Sequence, residues 1–135
     1  MDMIETRKNI RANSDLVVQH LGPHSGIVFG LNRASVAWLD GFIERQRQRP
    51  DLDDRLRAAL INQLGSFLGE CIVANTKGEW AWIESQKTVG VQFPGGNCVF
   101  PFNKVSKQVD NGRAGGDSIV GLFDSVLVMI SAGKL

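Results

Sequence analysis

The sequence predicts an α+β fold, in the order α-α-β-β-β-α-α, with a small antiparallel meander of three to four strands packed against about four helices. Three observations predict it. Apolar residues recur at three-and-four spacing before residue 75 and again after residue 117. Between these regions the period falls to two, around Trp80 and Trp82 and again from Val89 to Phe93. Short turn-forming clusters, "NTKG", "SQK" and "PGGN", separate the alternating segments closely enough for hairpins.

Residues 1–14 are polar and weakly patterned, which predicts a frayed or short helical lead-in. "GPHSG", residues 22–26, reads as a break, followed by a short strand at Ile27–Phe29. Asn32 is placed to cap a helix that runs to about Gln48, with Val36, Leu39 and Ile43 on its inner stripe and Pro50 beyond its end. Acidic residues at 51–54 suit the start of the next helix, whose Leu56, Leu60, Leu64, Phe67, Leu68 and Cys71 recur to about Ala74. Trp80 and Trp82 then share a strand face with Val89, Val91 and Phe93, and Ala81, Ile83, Gly90 and Gln92 share the other. "CVF" is a third strand. Pro101 opens a helix with Val105 and Val109 inside, stopped at Asn111-Gly112. Asp117 is the expected cap of a last helix carrying Ile119, Leu122, Phe123, Val126, Leu127 and Ile130.

A chain of 135 residues with 43% hydrophobic and 21% charged side chains suits a single domain, 1–135, with an ordinary core. A net charge of +1 gives no global pull toward nucleic acid or anionic lipid, so neither partner is expected. The longest apolar run, residues 119–130, contains Asp124 and is shorter than the roughly 20 residues that span a bilayer. Two cysteines form no disulfide framework, and without a secretory leader the expected compartment is the cytoplasm.

The densest stretch is "LGSFLGECIVANTKGEWAWIES", residues 64–85. Gly65 and Gly69 together cost a helix roughly 2 kcal/mol relative to alanine, so something must approach that side closely. Packing against the tryptophan strand is the leading explanation. The other is a ligand groove beside Glu70, with Trp80 and Trp82 as its aromatic wall. Arg113, in "GRAGGDS", is a candidate anion contact at a helix start, although the loop lacks the lysine and spacing of a phosphate-binding loop. His20 and His24 have the four-residue spacing of helical metal ligands, but Gly22-Pro23 intervenes and no third ligand is apparent. No catalytic residue, metal site or cofactor is assigned.

The string "LGSFLGECI…GEWAWIES", followed by "FPFNKVSKQVDNG…DSIVGLF", resembles a set of small uncharacterised bacterial proteins grouped as a domain of unknown function. The similar elements span about Leu31 to Ile130. The resemblance carries no role for Glu70, Trp80 or Lys104. Some small α+β bacterial proteins of this kind are immunity partners of toxins, an analogy of size and fold. The functional expectation is a non-enzymatic module that binds another protein, immunity-like or regulatory. A homodimer through the sheet face or edge is one form of it. The alternative is a small-molecule-binding domain or minor hydrolase with its pocket between the Gly65–Glu70 helix side and the Trp80/Trp82 strand.

Overall fold

The computed structural model describes residues 2–135. Five helices and three strands follow one another as α1 (Met3–Ser25), α2 (Arg33–Gln46), α3 (Asp54–Asn75), β1 (Glu79–Ile83), β2 (Thr88–Gln92), β3 (Cys98–Val99), α4 (Pro101–Asn111) and α5 (Ile119–Ser131). The fold class is α+β, with one helix more at the front than the sequence predicts.

That helix is the main correction. Residues 3–25 form one continuous helix, capped by Asp2, whose carboxylate accepts from the Ile4 and Glu5 amides. Ile10, Ser14 and Val17 are its buried residues, spaced four and three apart, and α1 packs along α3. "GPHSG" does not break it early: Pro23 lies inside the last turn, and Gly26, at φ 72°, ends it in a left-handed cap. Ile27–Phe29 is a loop, not a strand. Phe29 turns its ring inward, 5.3 Å from the ring of Phe67 and 6.0 Å from that of Trp38.

α2 and α3 start where their caps predict. Asn32 accepts from the Ser35 amide and Asp53 from the Leu56 amide. α3 is the axis of the molecule. Its second half is buried nearly without interruption, from Leu64 to Gly69 and on to Cys71 and Ile72. Around it close Leu39 and Ile43 from α2, Val91 from the sheet, Val105 from α4 and Ile119 from α5, all fully buried. Each such side chain contributes about 1.5–3 kcal/mol through removal from water.

The sheet is antiparallel, in the order β1-β2-β3, with Trp80 opposite Val91 and Trp82 opposite Val89. The expected face is therefore formed, with Trp80 buried and Trp82 half-buried. The two tryptophans do different work. The Trp80 ring lies across Gly69, where any Cβ would overlap its Cζ2 and Cη2 carbons. Gly65 does not meet the strand: a Cβ there would overlap the Phe102 ring and lie 2.9 Å from the Phe102 Cα. The two glycines thus admit different neighbours, one from β1 and one from α4, and those rings touch each other at 5.7 Å between centroids.

The edge of β1 is covered in part. The Phe93 amide donates to the Asn97 carbonyl at 2.8 Å, so Phe93 and, by parity, Val91 direct their backbone groups toward β3. Trp80, opposite Val91, directs its own groups to the outer edge. There Arg7 of α1 donates from Nη2 to the Trp80 carbonyl at 3.2 Å.

At the far end, Ser118 rather than Asp117 caps α5, accepting from the Gly121 amide at 3.1 Å. Asp117 instead accepts from Lys104 Nζ and Asn111 Nδ2, both at 3.0 Å, tying α4 to the loop that follows it.

Glycine substitutions separate packing from propensity. Gly69→Ala is expected to destabilise the protein by about 1–3 kcal/mol through overpacking against Trp80, despite the better helix propensity of alanine. Gly41→Ala, inside α2 and 3.5 Å from only the flexible Arg45 tip, is expected to stabilise it by about 0.5–1 kcal/mol. Urea unfolding of both variants checks the contrast; a Gly69→Ala protein as stable as the parent would remove Trp80 as the reason for the glycine.

Candidate functional site

Glu70 and Trp80 are brought together. The indole Nε1 of Trp80 donates to Glu70 Oε2 at 3.1 Å, and Arg11 Nε stands 3.9 Å from Glu70 Oε1. The Glu70 side chain is only 17% exposed, on a small cleft of about 200 Å³ shared with Arg7, Arg11, Val73 and Glu79. The groove expected between the glycines and the tryptophan strand is filled at its centre by the Trp80 and Phe102 rings. Open space lies at its two ends. Glu70 is at one end, and at the other, beside Asn62 and Ser66, lies a second cleft of about 340 Å³.

Trp82 belongs to that second cleft. Its indole Nε1 donates to Glu84 Oε2 at 2.7 Å, and Glu84 also pairs with Lys87. The two bonds lower the Glu84 pKa, with the Lys87 contact as the larger cause. Lys87 is the one non-glycine residue with positive φ among those described, at 52° in the β1–β2 turn.

Arg113 lies elsewhere, in a network that the sequence reading missed. Its Nε donates to Asp40 Oδ1 at 2.8 Å, and its Nη2 pairs with the same oxygen. Asp40, on α2, is 1% exposed, and its other oxygen accepts from Ser118 Oγ at 2.5 Å and the Val120 amide at 3.2 Å. Beside it Gln108, fully buried on α4, donates to Glu44 at 3.1 Å and accepts from the Ile119 amide at 2.8 Å. The Arg113 amide donates to the same Glu44 at 3.1 Å. Arg113 is therefore one arm of a clamp joining α2, α4 and α5. Burial pushes the Asp40 pKa up, but the Ser118, Arg113 and Val120 hydrogen bonds and the Arg113 charge outweigh it, leaving the carboxyl below its ordinary range. Arg47 donates to the Val109 and Asp110 carbonyls at 3.2 and 3.3 Å, capping α4.

The two histidines lie on one helix, since α1 continues through Pro23, yet both are exposed near its end. Among the described residues no group of three or more His, Cys, Asp or Glu side chains could hold a metal ion. Cys71 is fully buried, and burial, with Glu70 nearby, pushes its thiol up to about 12. Cys98 is half-exposed on β3.

A third cleft, about 710 Å³, opens between the end of α3, the Phe93-Pro94 turn and the C-terminal residues. Ala74, Asn75, Phe93, Pro94, Ile130 and Leu135 line it. Leu31 stands beside it, its carbonyl accepting from Asn75 at 3.1 Å. Val128 and Met129 precede Ile130 on α5, 66% and 39% exposed. Among the described helices none is long and apolar enough to cross a membrane.

No protein-family model matches this chain, and no curated protein or solved structure is significantly similar to it.

The Asp40 clamp has a signed pH dependence. A carboxylate held below its unfolded value near 3.9 contributes stability that is present above about pH 4 and lost as pH falls through the depressed folded value. Asp40→Asn is expected to cost about 1–3 kcal/mol at neutral pH, with the gap to the parent narrowing below about pH 4. Urea titrations at pH 7 and pH 3 measure both; a gap of constant size would exclude the carboxylate charge as its source. A thiol-reagent titration of the native protein is expected to modify Cys98 readily and Cys71 only after unfolding.

Proposed function

We propose that this chain is a non-enzymatic protein-binding module, immunity-like or regulatory in type, working in the cytoplasm. The observation that carries the reading is the apolar cleft at the end of α3. Exposed Ile130 joins Phe93, Pro94 and Leu135 in its lining, with exposed Leu31 beside it. Contiguous apolar surface left in water is costly and marks interaction sites more often than chance exposure does.

The rim selects the partner. Lys77 lines the cleft, and the Lys134 carbonyl accepts from Asn97 beside it. Neither lysine is in an ion pair among the described residues. The occupant that complements this surface is an apolar segment of another protein flanked by carboxylates, such as one face of an acidic amphipathic helix. The resemblance to uncharacterised bacterial proteins fits this type of role and assigns no residue to it.

The reading is tested by paired recovery from native cells. The parent chain is expected to retain one stoichiometric partner that Ile130→Asp loses, with the melting temperature of the exposed-site variant recorded alongside. Lys77→Glu is expected to weaken the same complex, and raised salt to weaken that of the parent. A partner held equally by parent and Ile130→Asp would move the interface off this end, and recovery of the chain alone would overturn the module reading.

A further inference from the structure

The cleft beside Trp82 lies on another part of the molecule, between α1, α3 and the sheet. Its wall contains three side-chain amides, Asn9 and Asn13 from α1 and Asn62 from α3. None of the three has a side-chain hydrogen-bond partner among the described residues. Asn9 and Asn13 are four apart, so they lie one above the other on one helix face. Ser66, fully buried beside the cleft, donates its hydroxyl hydrogen to the Asn62 carbonyl at 2.7 Å. The floor is apolar, with Ile10, Val89 and Phe102. The half-buried Trp82 lines the same cleft, its indole Nε1 bonded to Glu84.

From these groups the geometry points to a binding site for a neutral sugar ring. Three features narrow the class. The cleft's one cation, Lys87, is already paired with Glu84, so no unbalanced charge awaits an ionic ligand. Each carboxamide both donates and accepts, which matches hydroxyl groups that do the same. The indole and apolar floor call for a ligand with an apolar face, and the electron-rich ring attracts the polarised C–H groups of a pyranose. The volume, about 340 Å³, is at the small end of ligand sites and suits one or two rings. Trp82 is the platform, and Asn9, Asn13 and Asn62 set the hydroxyl pattern that is accepted.

The experiment titrates the intact chain with a panel of methyl glycosides and neutral disaccharides, followed by tryptophan fluorescence and by saturation-transfer NMR. A saturable response with a dissociation constant of about 1 mM is expected from at least one of them. Trp82→Ala and Asn13→Ala are each expected to weaken it about tenfold, with melting temperature recorded alongside. Should Trp82→Ala fail to fold, the exposed pair Asn9→Ala/Asn62→Ala gives the same reading, and Asn103→Ala on α4 is the unaffected control. A response by the monosaccharide glycosides marks a single-ring site, and one by the disaccharides alone marks a site for a chain end; either supports the assignment. It is overturned by silence across the panel, by binding undiminished in the amide variants, or by a sugar phosphate that binds tighter than its neutral parent.

Discussion

The contact on which the rest depends is that of the Trp80 indole, through its Cζ2 and Cη2 carbons, with the backbone of α3 at Gly69. It brings a strand within reach of the central helix without a side chain between them, and so sets how deep the sheet sits. The indole is held at its polar end by Glu70 and at its side by Phe102. With Trp80 in place, Val91 opposite it is fully buried, and the β1–β2 hairpin has one register that keeps both residues inward. A slip by one residue would send Glu79 or Ala81 to the glycine and turn the Trp80 ring out into water.

Helix packing alone would not hold the other half of the molecule in one arrangement. α2, α4 and α5 meet around Asp40 and Gln108, two buried polar side chains whose hydrogen-bonding groups are matched by neighbours from different helices. Apolar contacts tolerate small rotations, and these bonds do not. The clamp therefore works as a register device, and its satisfaction explains why such polar groups are tolerated inside the core. Among the described side chains no buried polar atom is left without a partner.

Much of this was legible in the sequence, for reasons that can be stated residue by residue. The caps at Asn32 and Asp53 and the change of period after Asn75 are local signals, and local bonds realised them. The glycine pair correctly demanded a close neighbour, and chemistry alone could not say that two different rings would answer. The full length of α1 is not legible beyond a short helical lead-in, because its buried stripe is interrupted by Ser14, so only Ile10 and Val17, a full seven residues apart, stand out as its apolar members. Pro23 looks like a breaker in the sequence and sits inside the final turn of the helix. Asp40 and Arg113 are 73 residues apart, and no pattern in a single chain links them. The amides at Asn9, Asn13 and Asn62 likewise look like ordinary surface until folding sets them around one opening. Of the four site candidates, Glu70 and Trp80 became neighbours, Trp82 faced a separate cleft, and Arg113 was taken up by the clamp.

The bond from Arg7 to the outer carbonyl of Trp80 has a temporal meaning as well. A bare outer strand offers its backbone to any extended chain nearby, and a growing polypeptide is surrounded by such chains. The helix that carries Arg7 leaves the ribosome first, some seventy residues ahead of the strand it will cover. When β1 emerges, Arg7 is already made, and the outward Trp80 carbonyl has its partner at hand. In this molecule the order of synthesis and the order of protection coincide.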